Sequence, residues 1–291
     1  MAEIVLGTAA LGMRYGLWRA VPGGTVDERQ ALAIVREAFA VGIATFDTAP
    51  AYGEAEQRLG LALGDRGRVW TKVRTPDRDS DSRAHLDASV SQSLRSLCRA
   101  KIDVLQWHNW TRDLAEDGWF RAAWEALARD NRISALGAST YGVEDAVAAV
   151  QSGLFSQVQV EWNLLNQSVV AAIGPLARAR QVSIAVRSVL LQGALTNEGR
   201  ALPPLPGLVH GVNQARALAD GLGLTLEQLA LGAALGHDDI AYVIVGMDRL
   251  AQVHDAFELL ASPPLTSAAR DSIRGIDMGG DPAVDPRTWR I

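Results

Sequence analysis

The sequence predicts an α/β protein folded as a closed (β/α)8 barrel of the TIM type, and three observations lead there. Short, nearly all-apolar runs alternate with amphipathic helical stretches along the chain. There are eight such runs. They spread over about 260 residues, close to the roughly 250 that eight β/α units occupy as one domain. Alternation alone also fits a doubly wound sheet. The dinucleotide-binding form of that sheet carries Gly-x-Gly-x-x-Gly directly after a strand. Here the first run is followed by Gly7-Thr8-Ala9-Ala10-Leu11-Gly12, which does not match. The expectation is a single barrel domain over 1–291, with 279–291 as a C-terminal tail.

The predicted strands are 4–7, 44–47, 69–73, 104–108, 133–138, 157–160, 183–186 and 242–245. Most are apolar throughout, as parallel strands covered on both faces require. Thr25-Val26-Asp27-Glu28 reads as a capping box. The helix after it carries Ala31, Ile34, Val35, Ala38 and Phe39 on one face and stops at Gly42, a left-handed terminator. Further helices are predicted over 54–63, 84–100, 119–130, 143–151, 169–178, 211–222 and 249–260. Thr225-Leu226-Glu227-Gln228 opens one more by the same capping logic. The stretch 197–207 holds Pro203, Pro204 and Pro206 and is predicted as a loop within the domain. The tail 279–291 has Gly, Pro and Asp without periodicity, and either wraps over the barrel or stays loose.

Composition narrows the class. Hydrophobic residues make up 48% and charged residues 21%, the balance of a globular domain and not of a disordered chain. The net charge of −5 argues against nucleic acid and against an anionic membrane surface, while leaving room for a local basic pocket. No basic leader followed by an apolar run opens the chain, and no uncharged apolar stretch reaches the roughly 18 residues of a membrane span. Cytoplasm is the default expectation. Cys98 is the one cysteine. It excludes an intrachain disulfide, fits a reducing compartment, and reads as a small buried apolar residue of the helix 84–100. His85, His210, His237 and His254 lack metal-ligand spacing, so no metal is expected. Neither a Gly-x-Ser-x-Gly elbow nor a phosphate-binding Gly-x-x-x-x-Gly-Lys-[Ser/Thr] loop is present, which removes serine hydrolases and P-loop nucleotide hydrolases.

In this fold chemistry sits at the C-terminal ends of the strands. The second strand ends in Phe46-Asp47-Thr48-Ala49-Pro50-Ala51-Tyr52-Gly53, the third contains Trp70-Thr71-Lys72, and the fourth ends in Gln106-Trp107-His108. Taken singly, each has a structural reading: a loop cap, an edge charge, a packed histidine. Together they change the reading. Lys72 lies between Thr71 and Val73 in a strand that both layers cover. A buried ammonium needs a partner, and Asp47 is one strand away. Reducing a carbonyl takes hydride on carbon and a proton on oxygen. Tyrosine can supply that proton, and a nearby ammonium stabilises the phenolate left behind. His108 can hydrogen-bond the substrate oxygen, as a neutral or a charged donor.

Asp47, Tyr52, Lys72 and His108, in this order on successive strands, resemble the catalytic tetrad of the aldo-keto reductases. The phrase from Phe46 to Gly53 is close to that family's signature. The resemblance covers most of the chain and implies a nicotinamide cofactor laid over the barrel mouth. Gly137-Ala138-Ser139-Thr140 looks like the family's Gly-Val-Ser-Asn, so Ser139 and Thr140 are implied to hold the carboxamide together with Gln159 of Gln159-Val160-Glu161-Trp162-Asn163. Gln192-Gly193-Ala194-Leu195-Thr196 looks like the segment along the pyrophosphate, implicating Gln192, Gly193 and Leu195. Gly246 to Asp255 resembles the adenosine-phosphate segment, implicating Gly246, Arg249, Gln252 and Asp255. Gly7, Thr8, Asp47, Arg187 and Ser188 complete the implied cofactor contacts.

The chain departs from the family pattern at three places. Arg187, in Val186-Arg187-Ser188-Val189, stands where an aromatic residue usually stacks on the nicotinamide. Its guanidinium either stacks on that ring or pairs with a nearby carboxylate. Thr140 replaces the usual Asn, and Ala256 stands where Asn often meets the adenine. NADPH is the preferred cofactor, with NADH possible, because Arg249 and Gln252 near a helix start suit a 2′-phosphate, although Asp248 opposes it. Trp18, Trp107, Trp110 and Trp162 are candidates for the substrate pocket beside His108; each faces either the core or the mouth. Arg14 and Arg19 either bind an acidic substrate group or are simply solvated. The expected partner is a small carbonyl compound or open-chain sugar; nothing in the sequence specifies an oligomeric state. Two other readings stand beside this one: a cofactor-sensing regulatory subunit with slow turnover, and a metal-dependent barrel enzyme such as a sugar isomerase.

Overall fold

The computed structural model describes residues 1–17, 26–74, 82–197 and 202–289. Eight parallel strands close into a barrel in sequence order: β1 (Glu3–Gly7), β2 (Thr45–Asp47), β3 (Arg68–Val73), β4 (Ile102–Trp107), β5 (Ile133–Ser139), β6 (Gln157–Glu161), β7 (Ser183–Arg187) and β8 (Tyr242–Gly246). β8 pairs back onto β1, with Gly7 beside Gly246. All eight predicted strands are present, within a residue or two at their ends.

Side chains alternate between the two faces of each strand, and two apolar clusters record it. Val5, Trp70, Val104, Ala185 and Ile244 fill the barrel interior. Leu6, Val69, Val73, Leu105 and Trp107 join the larger cluster between strands and helices. Beneath the interior cluster, Thr45 donates to Glu3 at 2.5 Å and Arg68 Nε to Thr45 Oγ1 at 3.0 Å. The inward positions at the opposite, C-terminal edge are left for polar groups.

Several boundaries differ from expectation for local reasons. The first long helix is Glu28–Ala40, capped by Asp27, whose carboxylate accepts from Gln30 N at 2.8 Å. Thr25 lies outside the described residues. Gly42 has φ +103, the left-handed stop. The expected box at Thr225 forms in both directions: Gln228 N donates to Thr225 Oγ1 at 3.1 Å, and Thr225 N to Gln228 Oε1 at 2.9 Å. The proline-rich stretch is in part a helix start, since Pro206 opens Pro206–Gly221; proline suits a first helical turn, where its missing N–H has no partner to lose.

Cys98 is not the buried helical residue expected. The helix Ser82–Ser96 ends before it, and Cys98 is exposed at φ 52. The chain reverses there and brings Arg99 onto the carbonyls of Gly64 and Arg66, at 3.1 and 2.9 Å. The tail takes the wrapping alternative. Pro282–Val284 and Pro286–Thr288 form single turns, and Trp289 is buried with Nε1 donating to Ala283 O at 3.0 Å. The helix Ser267–Arg274 had no sequence expectation.

Candidate active site

β2, β3 and β4 deliver Asp47, Lys72 and His108 to the same end of the barrel. Lys72 Nζ donates to both carboxylate oxygens of Asp47, at 2.8 and 2.7 Å, and to Thr48 O at 2.9 Å. Lys72 is 1% exposed and Asp47 3%. Burial alone would lower the Lys72 pKa; the Asp47 carboxylate and the Tyr52 phenol outweigh it, and the net direction is up. The surroundings therefore favour the ammonium form. From the far wall, Gln159 Nε2 donates to Asp47 Oδ1 at 2.9 Å.

Tyr52 lies on the loop after β2, its ring centroid 5.1 Å from Lys72 Nζ and 6.1 Å, edge-on, from the His108 ring. Two glycines seat that loop. A Cβ on Gly12 would come within 2.0 Å of Tyr52 O, and one on Gly53, at φ +60, within 2.4 Å of Gly12 O. Only bare backbone fits this approach. His108 follows β4, its N–H donating to Val73 O at 2.7 Å. Burial first, then the charges of Lys72, Arg74 and Arg187, push its pKa down to about 3. The sequence left both charge states open; the geometry makes this imidazole neutral.

Two connected cavities meet here and share Tyr15, Tyr52, Gln159, Arg187, Ser188 and Gln192. Gly7, Thr8, Asp47, Gln159, Arg187, Ser188, Gln192, Gly193, Gly246 and Gln252, all expected at the cofactor, line the first. The groove suits an extended dinucleotide. It runs from Tyr52 to the start of the helix Leu250–Leu260, where Gln252 Oε1 accepts from Asp248 N at 2.7 Å and from Arg249 N at 3.2 Å. A Cβ on Gly246 would stand in open space, so the glycine leaves room at the groove.

Other expected contacts fall elsewhere. Ser139 lines the second cavity, not the first. Thr140 and Leu195 are fully buried and line neither; Thr140 follows Ser139 and so points to the opposite side, while Leu195 belongs to the apolar core. Arg249 caps the helix Leu250–Leu260 and Asp255 lies exposed along it, both outside the groove lining. Arg187 lines both cavities and has a carboxylate beside it. Its guanidinium stands 4.1 Å over the Tyr141 ring, donates to Thr140 O at 2.7 Å, and lies 3.5 Å from Glu161 Oε2.

Among the described residues, the candidate tryptophans Trp107, Trp110 and Trp162 line neither cavity. Trp107 is 0% exposed and packs outward against Phe120 and Trp124, at 4.7 and 5.4 Å between ring centroids. Its strand neighbour His108 faces the mouth, so alternation sends Trp107 to the helices. Trp110 packs against Phe155 at 5.5 Å, and Trp162 is buried edge-on to His237 at 6.1 Å. Trp18 and Arg19 lie outside the described residues. The second cavity is instead lined by His108, Tyr141, Glu161, Asn163, Asn166 and the tail from Gly280 to Thr288. Glu161 was legible by alternation, two residues after the inward Gln159. The tail carried no such signal.

A family model, the aldo/keto reductase family, matches residues 3–277. The chain is 27% identical over 209 residues to aldo-keto reductase YhdN of Bacillus subtilis, covering 68% of this chain and 61% of that relative. It is 27% identical to L-galactose dehydrogenase of Arabidopsis thaliana over 80% of this chain and 78% of the other. The solved holo form of aldo-keto reductase AKR11C1 from Bacillus halodurans superposes with a TM-score of 0.78 at 25% identity, covering 94% of this chain and 92% of that one. The barrel and the family match define a class, the nicotinamide-dependent carbonyl oxidoreductases. The chain belongs to the aldo/keto reductase family.

Proposed function

We propose that this enzyme interconverts an aldehyde, ketone or open-chain sugar and its alcohol, with Tyr52 as the proton-transferring group. A bound nicotinamide supplies or accepts the hydride. Tyr52 gives its proton to the carbonyl oxygen. Lys72, held by Asp47, stabilises the phenolate that remains. Neutral His108 donates to the same oxygen and orients it. In the oxidation direction Tyr52 takes the proton back. The observation that carries this reading is the buried Asp47–Lys72 pair at 2.7 Å with the Tyr52 ring over the ammonium.

NADPH is the proposed cofactor. Arg249, exposed at the helix start beyond the groove, supports a 2′-phosphate there, where the helix N-terminus also favours an anion. Asp248, which lines the groove and sits 3.3 Å from Arg249, moderates the preference. The reading extends to a cytoplasmic enzyme acting on a small carbonyl substrate. Among the described residues no helix is long and apolar enough to cross a membrane. Fluorescence titration with NADPH and NADH, followed by a screen of carbonyl and sugar substrates, tests it. Tighter NADPH binding with turnover on some carbonyl supports the reading; binding of neither cofactor contradicts it.

A further inference from the structure

The second cavity contains a buried carboxylate oxygen with an ion-pair partner but no hydrogen bond, and a half-exposed guanidinium, neither of which the proton-transfer scheme uses. Glu161 ends β6. Its Oε1 accepts from Gly142 N at 2.9 Å. Its Oε2 is buried and has no hydrogen-bond partner among the described residues; Arg187 Nη2 is 3.5 Å away without bonding geometry. The Arg187 charge offsets part of this oxygen's desolvation cost, but native proteins rarely leave a buried acceptor without a hydrogen bond.

Arg287 comes from the tail. Asp285 engages its Nε at 2.9 Å and its Nη2 at 2.6 Å, leaving Nη1 without a partner among the described residues. The guanidinium stands 4.1 Å over Tyr141, the ring that also carries Arg187. Two rings of restraint therefore fix Arg287: the carboxylate fork and the aromatic face. The hydrogen bonds to Asp285 raise the Arg287 pKa, and the nearby charges of Asp285 and Glu161 add to that.

Glu161, Asp281 and Asp285 outnumber Arg187 and Arg287 in the lining, so the cavity would repel an anion. The lining is hydrogen-bonding, with Asn163, Asn166 and Ser139 beside these groups. A neutral ligand rich in hydroxyls suits it better than a carboxylate, a phosphate or a purely apolar carbonyl.

We propose that Glu161 and Arg287 are specificity-determining residues for a polyhydroxylated substrate: Glu161 Oε2 accepts from one hydroxyl remote from the carbonyl, and Arg287 Nη1 donates to another. This rests on the reading that the carbonyl is reduced beside Tyr52.

The test compares kcat/KM for glyceraldehyde and erythrose with that for propanal and butanal, using NADPH. The wild type favours the hydroxylated series. Glu161→Gln and Arg287→Gln each lower the hydroxylated-to-alkanal ratio about tenfold, mainly through KM, because a polar site discriminates by the partners it leaves unpaired. Glutamine keeps the acceptor that Gly142 uses, so the helix start survives. A wild type without the preference overturns the proposal, as do variants whose losses are equal on both series. Tyr52→Phe separates the two levels: wild-type turnover in that variant sinks the proton-transfer reading, whatever the ratio does.

Discussion

Lys72 grips both oxygens of Asp47, at 2.8 and 2.7 Å, in a site where neither side chain is more than 4% exposed. An ion pair buried this deeply gives little net stability, since desolvating two charges offsets most of their attraction. Its consequence is positional: a fixed ammonium under the Tyr52 ring.

Breaking that pair leaves an uncompensated charge in the barrel. Asp47→Ala is expected to lower stability by about 3–5 kcal/mol in urea denaturation. The double variant Asp47→Ala, Lys72→Met is expected to lose less than Asp47→Ala alone. A double variant at least as unstable as the single would contradict the buried-charge argument.

The pH behaviour of His108 follows from its environment. Burial and three cations lower its pKa from the ordinary 6.5 to about 3. The unfolded chain binds a proton at this residue near pH 6.5 and the folded one does not. The stabilisation is thus complete above 6.5 and is lost as pH falls from 6.5 towards 3, because there the unfolded state holds more protons. In NMR the His108 imidazole is expected to show no titration between about pH 8 and 5; a midpoint near 6.5 refutes the assignment of a neutral ring.

Gly12→Ala tests how Tyr52 is seated. The new methyl would fall 2.0 Å from Tyr52 O and 2.4 Å from Ala55 N, both backbone atoms that cannot swing aside. Overpacking of this kind costs about 1–3 kcal/mol. Here it also displaces the loop, so kcat is expected to fall more than tenfold, by roughly the 1.4 kcal/mol or more that such a factor represents. Unchanged kcat in a folded variant argues that the Gly12–Gly53 approach does not position the phenol.

Trp107 separates packing from recognition. Trp107→Ala is expected to cost about 3–5 kcal/mol of stability, while KM for the substrate stays within about twofold. A large KM change with intact stability would return this residue to the pocket wall.

Much of the fold and of the candidate site is legible in the sequence. The strands stood out because both faces of each are covered, which makes them apolar from end to end. Asp47, Lys72 and His108 stood out because charged groups in such strands need a reason. What failed was direction. Tryptophan is large enough to serve a pocket or a core, and nothing about Trp107 or Trp110 alone says which; only strand alternation from His108 decides it for Trp107. Thr140 failed the same way, one residue past the inward Ser139. The tail was illegible because Asp285 and Arg287 act through a fork and a ring, Tyr141, that lie far apart in sequence. That Asp27 caps the first long helix was not legible, because threonine and aspartate both serve as caps and pattern alone does not rank them.

The central claim is that the phenol of Tyr52 transfers the proton, and single-turnover kinetics on Tyr52→Phe tests it most directly. The rate of reduced-nicotinamide oxidation on a carbonyl substrate is expected to fall by about 10²–10⁴, with cofactor affinity within about twofold of the wild type. A variant that oxidises the reduced cofactor at the wild-type rate would contradict the proton-transfer role of Tyr52.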